Sequence, residues 1–262
     1  DVLHVMNITD IDDKTIRCSQ EKGKSLIDFT NEYADAFFDD LKVLNMLPAH
    51  HYPRATQFVS QMIETIQTLE EKGFTYTTDD GSVFFKISQF SQYGKLARLD
   101  PEQLISGERV AQDEYGKEEG RDFALWKGYK LEDGEVFWES PWGKGRPGWH
   151  IECSAMSTHY LSDHFDIHCG GVDNIFPHHE NEIAQSCAAS GKTFVNYWLH
   201  NEHLLVENQK MSKSLDNFYT LRDLIDKKCS PMAIRYTLIS THYRSKLNFT
   251  FKKVDESQKC IN

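Results

Sequence analysis

The chain has 262 residues, of which 39% are hydrophobic and 26% charged, with a formal net charge of -11. That is enough apolar chain for a sizeable core, and no apolar run approaches the ~20 residues of a membrane span, so a soluble, cytoplasmic protein is expected. The acidic total argues against non-specific coating of nucleic acid but leaves room for a local basic groove, and six scattered cysteines without a Cys-x-x-Cys pair argue for reduced thiols over a disulfide framework.

Leu3 to Ile8 is short, apolar and partly β-branched, and it predicts a buried strand that ends in Thr9-Asp10-Ile11-Asp12-Asp13-Lys14. Ligands gather beyond the carboxyl ends of strands in open α/β sheets, so Thr9 and the aspartates are candidates for substrate contact. Asp12 and Asp13 fit equally well as charges favouring the N-terminus of a following helix. Ser25 with Asp28 forms a capping signal, and Leu26, Phe29, Tyr33, Phe37, Leu41 and Leu44 then recur at helical spacing up to Pro48, with the aromatics expected in the core. A second helix carries Val59, Met62, Ile63, Ile66 and Leu69 on one face and stops at Gly73. His50 and His51, between the two, read as solvated loop residues.

Residues 74–77 and 82–87 flank Asp79-Asp80-Gly81, the signature of a tight hairpin. Little periodicity follows, and residues 74–145 read as an insertion between two halves of a sheet, with Lys117 to Asp122 as a solvated surface loop. Strands and helices then alternate: a helix over Trp149–Leu161, a strand over Phe165–His168, a turn at Gly170–Asp173, a helix over Pro177–Ser190, and strands at Asn196–His200 and Leu204–Val206. The order predicts a mostly parallel sheet with helices on both faces. Residues 220–228 and 231–240 look helical and open an all-helical tail. The chain starts at Asp1 and stops inside a polar stretch at Asn262, as a piece of a longer protein would.

Three groups of residues carry chemistry. His178 and Glu182 lie one helical turn apart on one face, and Cys153, near the start of another helix, adds a thiolate, so the three offer a mixed N, S and O donor set that fits zinc. On these residues alone, a salt-linked helix face with a buried thiol is the simpler reading. His179, Glu180 and Asn181 point elsewhere on that helix, to supporting hydrogen bonds or to the surface. His168 at a strand end, followed by Cys169-Gly170-Gly171-Val172-Asp173, offers close backbone approach and a carboxylate able to accept from ribose hydroxyls; an ordinary Gly-Gly turn with an exposed Asp fits as well. Lys210-Met211-Ser212-Lys213-Ser214 puts two ammonium groups and two hydroxyls on one loop, suited to the charge that develops as pyrophosphate leaves an α-phosphate.

Taken together, these residues resemble the cysteinyl-tRNA synthetases, a class I aminoacyl-tRNA synthetase family. The resemblance covers Asn7 to Lys14, Pro53-Arg54-Ala55-Thr56, Phe123 to Lys127, Ser140 through Met156, Phe165 to Ser186, Asn196 to His200 and Lys210 to Phe218. It implies an α/β fold: a Rossmann-like class I catalytic domain with an inserted α+β connective segment and the start of a helical bundle. Residues 1–73 would form the first half of the catalytic domain and 74–145 the connective insertion. Residues 146–218 would be the second half, with the zinc ligands and the lysine loop, and 219–262 a stem-contact region with the start of the anticodon-binding helices. One zinc would be held by Cys153, His178 and Glu182, with a fourth ligand from a cysteine ahead of Asp1. Zinc would bind the substrate thiolate and so reject serine without an editing domain. Thr9, Trp149 and His168 would line the amino-acid pocket, Asp173 would lie on the adenosine side, and Lys210 and Lys213 would be the catalytic lysines, Lys213 meeting ATP. The implied partners are L-cysteine, ATP with Mg2+ and tRNA(Cys), in a monomeric protein without membrane attachment.

The sequence departs from the family pattern in several places. It lacks the His-Ile-Gly-His motif, the first strand and the first zinc cysteine, and most of the anticodon-binding helices, so this piece by itself is expected to be inactive. Cys169 and Asp216 stand at family glycine positions, and Asn174 replaces an apolar residue, which puts the detail of the nucleotide site in question. Two other readings share the residues: a related ligase that joins activated cysteine to an amino sugar, and a noncatalytic metal-binding fragment.

Overall fold

A computed structural model describes residues 1–99 and 122–262 and, at Lys213, the backbone alone. The described chain divides into two compact units: Asp1–Glu32, Ala49–Ile167 and Asn174–Tyr197 make the first, and Tyr33–Pro48, His168–Asp173 and Trp198–Asn262 the second.

In the first unit, the expected strand at Leu3–Ile8 is an extended segment with a broken ladder. His51 N donates to His4 O, Met6 N to His51 O at 3.0 Å, Ile8 N to Pro53 O at 2.8 Å and Ala55 N to Ile8 O at 3.2 Å. A continuous parallel ladder would also need an N–H from position 53, which proline lacks, so pairing is reduced to bridges at Val5–His51 and Ile8–Arg54. Helix α1 (Asp13–Glu21) follows at once. Asp12 is its N-cap and accepts from Thr15 N, while Thr15 Oγ1 accepts from Asp12 N at 2.8 Å, so at Asp12 and Asp13 the helix-start reading describes the local structure.

Helix α2 (Leu26–Val43) begins where Ser25 Oγ accepts from Asp28 N at 3.1 Å. Its aromatics are not uniformly core: Phe29 is buried, but Tyr33 is 56% exposed. Helix α3 (Val59–Glu71) buries Met62, Ile66 and Leu69 completely. Strands β1 (Thr75–Thr77), β2 (Val83–Phe85), β3 (Phe123–Gly128) and β4 (Gly145–Pro147) form an antiparallel sheet in that order. The β1–β2 hairpin is held by Asp80, whose carboxylate accepts from Thr78 Oγ1 at 2.6 Å and Ser82 N at 3.0 Å. Of the expected Lys117–Asp122 surface loop, only Asp122 lies among the described residues. It is buried, its carboxylate capping Ile87 N at 2.9 Å.

Helices α4 (Trp149–Leu161) and α5 (Glu180–Ser190) pack with α3 around the core that contains Met62, Ile66, Trp126, Ile151 and Ala184. Strands β5 (Phe165–Gly171) and β6 (Val195–Asn201) form a two-stranded sheet. In the second unit, β7 (Leu204–Val206) pairs antiparallel with β8 (Gln209–Lys210) and parallel with β9 (Leu247–Phe249). Helices α6 (Leu221–Asp226), α7 (Pro231–Ile239) and α8 (Phe251–Ile261) pack there around Val206, Ala233, Ile234, Phe249 and Val254.

The tail is therefore not all-helical. Leu247-Asn248-Phe249 completes a sheet instead, and Asn248 Oδ1 accepts from Asn208 N at 2.7 Å. The mostly parallel sheet is also not seen as one sheet among the described residues. The largest sheet among them is the antiparallel one of β1 to β4, and the Leu3–Ile8 pairing is interrupted at Pro53.

Candidate active site

The start of α4 is set by Gly148. Its N–H donates to Leu125 O at 2.8 Å, and a Cβ there would stand 2.1 Å from Ala124 O, so only glycine lets helix and strand approach this closely. This contact presents Trp149 at the first helical position and places Cys153 one turn on. The run leading to α5 begins after an extended Phe176 (φ -137, ψ 130). Pro177 to His179 then make one wide turn, and α5 ends at Gly191 in the left-handed region.

These two helix starts bring Cys153, His178 and Glu182 together. One ligand atom from each lies within 4.8 Å of the others, and His178 Nε2 is 3.1 Å from Glu182 Oε1. Ligand bonds of ~2.0–2.3 Å in a tetrahedral site separate donor atoms by roughly 3.3–3.7 Å, so the trio needs only a small contraction to close on one ion. Sulfur, imidazole nitrogen and carboxylate oxygen are also a donor set zinc accepts, and the residues present fit the group the sequence implied.

The surroundings orient the trio. His150 Nδ1 lies 2.8 Å from His178 Nδ1. With the lone pair of His178 Nε2 directed at an ion, its Nδ1 would carry the proton and His150 Nδ1 would accept it, which fixes the tautomer. The Trp149 ring stacks on His178 with centroids 4.2 Å apart. Asn7 Nδ2 donates to Thr9 Oγ1 at 3.2 Å and lies 3.7 Å from Cys153 Sγ, so Thr9 and Trp149 both stand around the trio. Burial, together with the Glu182 and Glu152 carboxylates, pushes the Cys153 thiol well above its ordinary range. Burial beside Asp10 and Asp12 likewise raises Glu152 well above the ordinary carboxylate range, against the pull of Arg146 and Lys127.

Polar residues around the trio hold this region in place. Asp10 accepts from Thr56 N at 2.9 Å and Thr56 Oγ1 at 2.7 Å, anchoring the loop that carries Thr9. Arg146 Nε meets Asp133 at 3.0 Å, and both Arg146 and Lys127 meet Asp13. Glu180, buried on α5, accepts from Gly94 N at 3.0 Å and Ala97 N at 2.7 Å, and Tyr93 OH donates to Asn181 Oδ1. Glu180 and Asn181 thus point away from the trio, as their helix positions require, and grip the Tyr93–Ala97 loop. A capping carboxylate 83 to 86 residues distant leaves no local signal; the only clue was two polar residues beside the presumed ligands on a helix that must be buried.

The second unit carries the remaining predicted residues. The His168 ring packs against Trp198 with centroids 4.7 Å apart, and the His200 ring lies parallel to that tryptophan at 6.2 Å, its pKa lowered by burial and by His168. The expected turn at Gly170–Asp173 is instead the end of β5 followed by a short 3-10 turn over Val172–Asn174, and a Cβ on Gly171 would stand 2.3 Å from Asp173 Oδ1, so the glycine makes room for that carboxylate. Lys210 is exposed at the end of β8. The loop beyond it is tied by Asn217, whose Nδ2 donates to Lys210 O at 3.1 Å and whose Oδ1 accepts from Ser212 N at 2.8 Å. Asp216 occupies the left-handed region at φ 51, which is why glycine suits this position and why a short carboxylate can replace it.

Comparison with known proteins identifies the family. The family described as "tRNA synthetases class I (C) catalytic domain" matches residues 1–259. A protein named "Cysteine--tRNA ligase" from Brachyspira hyodysenteriae is 59% identical over 260 residues, covering 98% of this chain and 55% of that protein. One of the same name from Protochlamydia amoebophila is 56% identical over 257 residues, covering 97% of this chain and 54% of its own. The chain therefore spans about half the length of the curated relatives it matches. Methionyl-tRNA synthetase from Mycobacterium tuberculosis, solved with methionyl-adenylate, is 14% identical and shares the fold with a TM-score of 0.70, covering 96% of this chain and 59% of that one. With the family match running nearly from end to end and a mixed α/β architecture shared with a solved synthetase, the chain belongs to the class I (C) tRNA synthetase catalytic domain family.

Proposed function

We propose that this chain is the catalytic part of a cysteine–tRNA ligase, which activates L-cysteine with ATP and transfers it to tRNA(Cys). The observation that carries the reading is the convergence of Cys153, His178 and Glu182 within 4.8 Å, beside Thr9 and a tryptophan stacked on the histidine. Relatives that share 55–59% of its residues and are named for this activity support it.

Zinc held by the trio would supply a thiophilic Lewis acid that prefers a thiolate to a hydroxyl. His178 is held in one tautomer by His150 and in one ring orientation by Trp149, so the donor set is preorganised. Thr9 offers a hydroxyl, fixed by Asn7, to the polar groups of the amino acid. In the second unit, Asp173 is the acceptor for ribose hydroxyls, and Lys210 and Lys213 neutralise the phosphate charge that grows as the cysteine carboxylate attacks the α-phosphate and pyrophosphate departs. Mg2+ travels with ATP.

The test is cysteine-dependent exchange of pyrophosphate into ATP by a full-length protein containing this chain, together with its zinc content. Cys153→Ser and His178→Ala are expected to abolish both. Undiminished exchange in a metal-free Cys153→Ser protein would sink the zinc mechanism. Exchange that persists while cysteine passes to an amino sugar and not to tRNA would favour the sister ligase.

A further inference from the structure

Helices α3, α4 and α5 pack against one another in the first unit, and their outer faces leave a cavity of ≈ 400 Å³ that the chemistry above does not use. The size suits a small ligand rather than a single water. Its walls have a consistent polarity. The hydroxyl protons of Thr65, Thr68 and Ser190 are donated to carbonyls of their own helices, at 2.8, 3.0 and 2.7 Å, and that of Ser154 goes to Gln185 Oε1 at 2.6 Å. Ser190 Oγ also accepts from Lys192 N at 3.1 Å, and the other oxygen lone pairs of these groups remain as acceptors.

Two further wall atoms are buried without a hydrogen-bond partner among the described residues: Gln61 Oε1, an acceptor, and Oγ of Ser186, a residue only 6% exposed. Leaving such groups unsatisfied is costly, so the site favours an occupant that can meet them. Glu64, Asp163 and His159 also line the cavity and, among the described residues, no lysine or arginine does, although Lys192 reaches Asp163 at 2.7 Å. A wall rich in acceptors, with two carboxylates of which only Asp163 is shared with a lysine, disfavours phosphates and carboxylates and favours a donor-rich cation.

We propose that this three-helix cavity binds a small aliphatic amine with two or more ammonium groups. One ammonium sits among Gln61, Thr65 and Ser186, and another is held by Glu64 and Asp163, while the methylene chain lies along Ala155 and Ala189.

The experiment titrates spermidine into the chain by calorimetry at low ionic strength. Because the chain is strongly acidic, diffuse attraction must be separated from a site. Thr65→Leu fills the cavity at an incompletely buried helical position without altering charge, and Glu21→Gln, exposed on α1, removes a charge far along the sequence from the cavity walls. Circular dichroism checks that both variants keep the fold. The expected result is a saturable one-to-one isotherm that weakens at least tenfold in Thr65→Leu and is unchanged in Glu21→Gln. Equal binding by both variants and the parent overturns the proposal in favour of non-specific attraction. No saturable binding at several millimolar overturns it in favour of a cavity that holds only water.

Discussion

Asp13 shows how single side chains here serve two ends. It opens α1, and its carboxylate meets Lys127 and Arg146, whose side chains are only 9% and 4% exposed. Partial burial raises its pKa, but the two cations outweigh this and hold it below its ordinary value of 3.8. A carboxylate depressed on folding stabilises the native state above its unfolded pKa, and that contribution is lost as the pH falls through the folded one. Asp13→Asn should therefore lower stability by about 1 kcal/mol at pH 7, the carboxyl being largely exposed. The difference from the parent should close below pH 3.8, as followed by urea unfolding at a series of pH values. At this scale the sequence was partly legible. The i, i+4 spacing put His178 and Glu182 on one face without any structure. Asn7 was not found, because a lone Asn at the end of an extended segment carries no signal until Thr9 and Cys153 are seen beside it.

At the scale of elements, close backbone approach decides where chemistry can be placed. Gly148 lets α4 start against β3, and Gly148→Ala should cost roughly 1–3 kcal/mol, since the contact at 2.1 Å is with a carbonyl of the sheet that cannot swing aside. Chemical denaturation measures this directly, and an unchanged midpoint would show that the helix start can shift. Glu180→Gln turns one acceptor into an NH2 group facing the amides of Gly94 and Ala97, and a loss of about 1–3 kcal/mol is expected, with faster amide exchange in residues 93–97. Helices were the easiest elements to read, because α2, α3 and α4 declare themselves by period and punctuation. The Leu3–Ile8 pairing was misjudged although Pro53 was in plain view: a missing N–H matters only once it is known which segment pairs with which. Asp122 was misread because its neighbours are hydrophilic, and a buried carboxylate that caps a distant amide looks like any other loop acid.

Across the whole molecule, six thiols are distributed over both units, and only Cys169 and Cys260 are exposed. Titration of the native chain with an aromatic disulfide should modify Cys260 first. Cys169 should follow, its thiol pushed up by partial burial. The other four should react at comparable rates only after unfolding.

The two-sided grip on α5 has a mechanical consequence. On one side the helix offers Glu182, with His178 in the turn leading into it, to the proposed metal trio; on the other, Glu180 and Asn181 hold the Tyr93–Ala97 loop. Side-chain tips stand roughly 6 Å from a helix axis, while metal–ligand distances are tolerated to about 0.2 Å, so the helix has an angular play of only ~2° before coordination suffers. The loop acts as a key that indexes this axle. Zinc affinity would then register the state of a segment more than eighty residues away in the chain, and a lesion in that loop would present itself to the biochemist as a loss of metal.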